Sequence, residues 1–244
     1  MCAGEASPHT YPGAELALFG RALNWKRYLQ CTLGPWIGGR VLEVGAGIGE
    51  TSRALASEQC ACWCCLEPDP DLLAALEATL AERPLPAPAE TIRGTIADVD
   101  PGRRFDTVLY VDVLEHIARD EEELARAASH LADGGRLIVV APAHPFLYSP
   151  FDTAIGHYRR YSRRTLRAAA PPDLVAERIF YLDAAGCLAS AANRFLLRQS
   201  MPTARQVRIW DRILVPASVR IDPLFGHRLG KTVVGVWRKA PGGA

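Results

Sequence analysis

The residues with the clearest chemical spacing in this 244-residue chain are three glycines, Gly45, Gly47 and Gly49, in the run VLEVGAGIGE. A short apolar segment precedes them, and Glu50 and Thr51 suit the first turn of a following helix. Glycines at such a turn let the backbone bend sharply and approach a ligand closely, and the helix start offers N–H groups to a negative group. A dinucleotide fingerprint, G-x-G-x-x-G, would put its third glycine at position 50. Here that position is Glu and the spacing is G-x-G-x-G. Glu43, two residues before the glycines, is a poor neighbour for a pyrophosphate and a good one for an ammonium. Glu67 lies 18 residues after Gly49, at the end of a second apolar run. An acid at that offset hydrogen-bonds a ribose diol, accepting both hydroxyl hydrogens. The plainer alternative is a surface acid at a helix start, since Pro68 and Asp69 follow. Strand, glycines and acid in line favour ribose.

Farther along, His116, His144, His157 and Asp112 are the candidate proton acceptors. His144 and Tyr148 fall just past a fifth apolar run, at the edge where doubly wound sheets bind ligands. His157, Tyr158, Arg159 and Tyr161 form a dense polar–aromatic cluster. It reads either as the lining of an acceptor pocket or as a hydrogen-bonded clamp on a loop. Cys60, Cys62, Cys64 and Cys65 crowd one segment, but no second Cys/His pair follows at zinc-finger spacing. CACWCCLE reads better as a buried strand in which cysteine is a small hydrophobe, and no metal is expected.

These residues need elements to position them. Residues 16–33 carry apolar residues at helical spacing, and VLEV is a short apolar strand. The chain then alternates: ETSRALASE helix, CACWCCLE strand, PDPDLLAALEATLAE helix with Asp69 or Asp71 as cap, TIRGTIADV strand and exit loop, FDTVLYVDV strand, DEEELARAASHLA helix, GGRLIVVAP strand. This alternation predicts an α/β fold, a doubly wound, mostly parallel sheet with helices on both faces. SRRTLRAAA is a short basic helix, VAERIFYLD a sixth strand and KTVVGVWRK a seventh. Between the last two, residues 184–230 read as a helical insertion broken by Pro202, Pro216 and Pro223, a substrate lid or a homodimer contact. Residues 1–33 read as an N-terminal arm on a single domain spanning 1–244.

Composition bounds the rest. About half the residues are apolar, enough for a sizeable core. No apolar run is long enough to span a membrane, and no secretory leader is legible, so a cytoplasmic location is expected. The net charge is +1, but residues 1–150 hold 12 basic and 21 acidic residues, and residues 151–244 hold 16 and 6. Such a split either attracts an anionic partner or neutralises itself across the fold.

The set VLEVGAGIGE, LEPDP, TIADV and FDTVLYVDVLEHI resembles the class I S-adenosylmethionine-dependent methyltransferases, in particular the small-molecule, ubiquinone-type branch. LNWKRYL, GHYRRYSRRTL and GKTVVGVWRK extend the resemblance over roughly residues 20–240, towards a bacterial subgroup of glycan and natural-product biosynthesis. It implies a Rossmann-like methyltransferase fold with S-adenosylmethionine as donor and S-adenosylhomocysteine as product. It further implies that Glu43, Gly45, Ala46, Gly47 and Gly49 hold the methionine part, and that Glu67 and Pro68 stand at the ribose. Asp98 would meet the adenine amino group, with Ile96, Ala97 and Val99 at its ring. Val111 and Asp112 would flank the transferring methyl, and Trp25 and Tyr28 would close over the cofactor. His116, His144 and Asp112 would be the catalytic candidates, and Tyr148, His157, Tyr158, Arg159 and Tyr161 would meet the acceptor, a small molecule with an O, N or C nucleophile. The many arginines of the insertion suit a phosphate or carboxylate on that acceptor, or else form a solvated basic face. Alternatives are a nucleic-acid methyltransferase, for which no recognition module or N-P-P-Y motif is present, a nicotinamide oxidoreductase, against which Glu43 and Glu50 argue, and an inactive partner protein.

Overall fold

A computed structural model describes residues 14–194 and 201–241. Two helices lead, α1 (Ala14–Gly20) and α2 (Leu23–Leu33). Then follow β1 (Gly39–Val44), α3 (Glu50–Leu55), β2 (Cys60–Glu67), α4 (Pro70–Glu82), β3 (Ala89–Arg93), β4 (Phe105–Val111), α5 (Asp120–Ser129) and β5 (Leu131–Pro142). The second half holds α6 (Pro150–Ala154), α7 (Arg163–Ala169), β6 (Leu174–Leu182), α8 (Ala184–Ala192), α9 (Ala204–Ile209), α10 (Val215–Leu224) and β7 (Thr232–Lys239). The seven strands form one sheet in the order β3-β2-β1-β4-β5-β7-β6. Only β7 runs antiparallel, against β5 and β6, so the expected mostly parallel sheet is present.

The central strands are apolar on both faces because helices cover both. Val41, Leu42, Val108, Leu109 and Leu137 through Ala141 are fully buried, the near-continuous apolar pattern of a sheet buried on two sides. Asp69 is the cap of α4, its Oδ1 accepting from the Asp71 and Leu72 N–H groups. Two local expectations change. The leading helix is two helices, parted at Arg21 and Ala22. Pro216 does not break the insertion: α9, a π-turn (Trp210–Leu214) and α10 run on without a gap. The Val215 N–H reaches back to the Trp210 carbonyl, and this wide turn lets the chain pass a proline that could not donate.

The strand order reverses at β1: β2 and β3 lie to one side, β4 and β5 to the other. Such a reversal opens a crevice at the carboxyl ends of the strands. Gly45 follows β1, Glu67 ends β2 and Asp112 follows β4, so the sequence candidates converge there.

Candidate functional site

A cavity of about 1200 Å³ occupies this crevice, room for a nucleoside-sized molecule and a second ligand. Its floor is the Gly45–Gly47 turn. Gly45 has φ +69°, and a Cβ there would press to 2.6 Å from Val113 Cγ2, so a side chain is excluded on two counts. Gly49 (φ +81°) does not reach the cavity. It seats α3 against Leu76, whose Cδ1 would stand 2.6 Å from an added Cβ.

The donors of this turn are used inside the protein. Gly45 and Ala46 both donate to the Leu66 carbonyl, at 2.8 and 3.1 Å, and Gly49 donates to Ala46. Gly47 donates to Glu67 Oε2 at 2.8 Å. The helix that follows, α3, is only six residues long. The expected N–H cradle for a negative group is therefore not what the turn presents. Glu67 instead stands on the cavity wall with one backbone donor on each carboxylate oxygen, Gly47 on Oε2 and Asp69 on Oε1 at 3.0 Å. Burial raises its carboxyl and those two N–H groups lower it. Each oxygen keeps lone pairs for a further donor.

Of the other expected cofactor residues, Trp25, Pro68, Val111 and Asp112 line the cavity. Glu43 does not. It is buried and its Oε2 accepts the Trp63 indole N–H at 2.8 Å, while burial lifts its carboxyl to about 7. Tyr28 faces away, its hydroxyl donating to Asp222 Oδ2 at 2.8 Å. Asp98 is exposed and closes a capping box on Thr95, at 2.8 Å to its N–H and 2.9 Å to its hydroxyl. Val99 is buried in the core. From that loop Gly94 and Thr95, rather than Ile96 to Val99, form the wall.

Among the candidate catalytic groups, Asp112 and His116 line the cavity and His144 does not. His144 stacks on Tyr181 with ring centroids 4.7 Å apart. Asp112 takes the left-handed conformation, φ +54°, which turns it out of the strand. The surrounding protein raises its carboxyl against the pull of His157 and Lys231. Burial, and then His157, drive His116 down to about 4, so its imidazole is neutral at neutral pH.

Of the polar–aromatic cluster only His157 reaches the cavity. Tyr148 donates to the His157 carbonyl at 2.6 Å, Tyr161 donates to Asp120 Oδ2 at 2.7 Å, Arg159 pairs with Asp120, and Tyr158 is exposed beneath the Arg159 guanidinium. The loop-clamp alternative describes these four. Beside them stands Asp152, a residue with no sequence signal. Asp152 accepts from Ser149, from His157 Nδ1 at 2.9 Å and from two Arg160 nitrogens at 2.7 and 3.0 Å. Burial opposes its charge, but these contacts outweigh burial and hold it at about 2.

The roof comes from the two ends of the chain. Phe19 and Trp25 meet Trp210 of the π-turn, with ring centroids 5.9 and 5.7 Å apart. Lys231 Nζ sits 3.8 Å from the centroid of the Trp210 ring. Its amine is lowered by burial, against the opposing pull of Asp183 and Asp112. Asp183 receives the Trp210 indole N–H at 2.6 Å and the Ser218 hydroxyl at 2.6 Å. The cysteines of β2 face the core: Cys60, Cys64 and Cys65 are buried and unpaired.

Residues 42–137 match the family described as a methyltransferase domain. The glycine turn, Glu67 and Asp112 lie inside that matched segment. A demethylmenaquinone methyltransferase of Tropheryma whipplei is 32% identical over 145 residues, 59% of this chain and 56% of that protein; the chain thus spans about half the length of the curated relative it matches. Beyond these matches the likeness is of fold. A geranyl diphosphate methyltransferase in complex with S-adenosylmethionine superposes with a TM-score of 0.60 at 15% identity, covering 96% of this chain and 93% of that one. The cyclase SpnF does so with 0.60 at 16%, covering 94% and 95%. One architecture thus carries different reactions, and the activity has to be argued from the site.

Proposed function

We propose that the chain is an S-adenosylmethionine-dependent methyltransferase acting on a small, largely apolar molecule in a reducing, cytoplasmic setting. The observation that carries this reading is the fate of the hydrogen-bond donors at the glycine turn. Four of its N–H groups are satisfied internally, and the acidic Glu67 stands over it. A site built this way accepts hydrogen bonds. It suits ribose hydroxyls and a cationic group and repels a pyrophosphate, which disfavours a nicotinamide cofactor.

S-adenosylmethionine supplies, when bound, a methyl group on a positively charged sulfur. Glu67 holds the ribose diol. Gly94, whose N–H donates to the Glu67 carbonyl, and Thr95 wall the adjoining adenine end. Asp112 and the aromatic face of Trp25 favour the cationic end. Holding donor and acceptor in line supplies much of the acceleration, up to ~7–11 kcal/mol in favourable systems. Where the acceptor atom sheds a proton, Asp112 stands on the wall to receive it.

The insertion, residues 184–230, acts as the lid over the acceptor. Its contribution to the wall is apolar or neutral, notably Ala189, Val207, Trp210 and Leu214. None of its arginines among the described residues lines the cavity. The cations that do line it are paired: Lys26 with Glu50, Arg160 with Asp152, and Lys231 with Asp183. This favours an apolar acceptor body over the anionic one expected from composition, in line with the demethylmenaquinone named for the 32%-identical relative.

Calorimetric titration with S-adenosylmethionine, S-adenosylhomocysteine and NADH tests the reading. Binding of the first two alone supports it, and binding of NADH alone overturns it. Glu67→Ala should weaken S-adenosylmethionine binding by about 1.5–3 kcal/mol, the scale of hydrogen bonds to a charged group.

A further inference from the structure

We propose that Glu115, His116 and His157 form a binding site for one divalent first-row transition-metal ion, with its remaining coordination positions open to the cavity.

Each of the three residues offers one donor atom, and these atoms lie within 4.8 Å of one another. All three residues line the cavity. Glu115 is fully buried, yet neither carboxylate oxygen has a hydrogen-bond partner among the described residues. Its nearest cationic candidate is His157 Nε2, 3.7 Å from Oε1. A buried, unpartnered carboxylate is strongly unfavourable unless something positive meets it. The neighbouring groups do not serve: Arg160 is spent bidentately on Asp152, and Lys231 lies against Asp183.

The imidazoles are held as metal ligands are held. Asp152 Oδ1 lies 2.9 Å from His157 Nδ1, which puts the proton on Nδ1 and leaves Nε2 as a lone-pair donor towards Glu115. A carboxylate behind a ligating histidine is the usual way its tautomer and orientation are set. The His116 ring is anchored by a hydrogen bond to the Gly156 backbone. Its ring packs edge-on to His157, with centroids 4.6 Å apart. Two imidazoles and one carboxylate suit Zn²⁺, Co²⁺, Mn²⁺ or Fe²⁺, whereas Mg²⁺ and Ca²⁺ want an all-oxygen set. A tetrahedral zinc set spaces its donors by roughly 3.3 Å, so binding would draw the three side chains together. The role of the open positions, holding a hydroxyl or carboxylate oxygen of the acceptor, rests on the methyl-transfer reading. The site itself does not.

The test uses the full chain, free of added histidines and stripped with chelator. Titration with Zn²⁺ and with Co²⁺ should show one ion per chain and a rise in melting temperature, and Co²⁺ should give visible absorption bands without thiolate charge transfer. Mg²⁺ at the same concentration should do neither. Glu115→Gln and His116→Gln, each checked for fold by circular dichroism, should weaken Co²⁺ binding at least tenfold, and Cys62→Ser should leave it unchanged. No stoichiometric binding, thiolate bands, loss on Cys62→Ser, or unaltered affinity in both folded variants would each overturn the site. Glu115-dependent Co²⁺ binding in a protein that ignores S-adenosylmethionine would keep the metal and remove only its acceptor role.

Discussion

Two acids near the glycine turn show how depth along a strand decides what a side chain can reach. Glu43 and Glu67 both precede loops at the sheet edge, but Glu67 is the last residue of its strand and Glu43 is the last but one. Glu43 pairs with Cys65 and so shares a face with Val41, Trp63 and Glu67. What separates the two acids is depth along the strand: Glu43 is buried inside it against Trp63, and Glu67 ends its strand on the cavity wall. The buried position has a measurable consequence. Burial raises Glu43 from 4.5 to about 7, although hydrogen bonds from Ser52 and Trp63 lower it. A carboxyl raised on folding stabilises the fold fully below its unfolded pKa, and that stabilisation is lost as pH rises through the folded value. Stability should thus fall between about pH 4.5 and 7 in the native chain. Glu43→Gln, which keeps an acceptor for Trp63, should flatten this slope and be about 2–3 kcal/mol more stable at pH 8. Urea denaturation at pH 5 and pH 8 measures both; equal slopes in the two proteins would refute the assignment.

At the scale of elements, the lid and the N-terminal arm complete one another. Helix α2 has no side-chain cap of its own: its N-cap residue is Ala22. Asp211 of the π-turn supplies one from the other end of the chain, accepting from the Trp25 N–H at 2.9 Å and from Asn24 at 3.4 and 3.2 Å. A cap of this kind stabilises a helix start by ~1 kcal/mol. Because Trp25 also lines the cavity, the loss should reach the ligand. Asp211→Ala should lower stability by about 1 kcal/mol in chemical denaturation and weaken S-adenosylmethionine binding severalfold, with donor and lid loosened together. A stability loss with unchanged affinity would mean that the arm serves the fold alone. Tyr28 and Asp222 tie the same two elements a second time, at 2.8 Å, so the variant should still fold.

For the molecule as a whole, the basic second half meets the acidic first at Arg159 and Asp120, while Arg136 and Glu177 pair across the halves in the opposite sense. No helix among the described residues is long and apolar enough to cross a membrane. The roof joins chain ends around a sheet whose central strands are fully buried. Local opening should follow that contrast. In hydrogen exchange, S-adenosylmethionine should slow residues 14–33 and 204–214 markedly and leave β4 and β5 unchanged. Uniform slowing throughout would instead report global stabilisation by ligand.

The sequence by itself determined what is local and periodic. Strand–helix alternation, the glycine spacing and the acid ending the second strand are written within a few residues of one another, and each acts through backbone geometry that tertiary packing does not reverse. Hence the sheet, the glycine turn and Glu67 were legible in advance. Only the tertiary structure decided which side chains share the cavity. Asp152, Lys231, Trp210 and Glu115 come from four separate elements and carry no spacing signal. The dense cluster around His157 reads as a binding motif in sequence because proximity along the chain looks like convergence. In three dimensions Arg159 and Tyr161 turn to Asp120 on α5, Tyr158 is exposed, and only His157 meets both the buried Asp152 and the cavity. Three of the turn's donors could not be assigned from spacing either, since their acceptors, the Leu66 carbonyl and the Glu67 carboxylate, lie on the neighbouring strand. A hydrogen bond between distant segments is set by how strands pair, and that is a property of the assembled sheet.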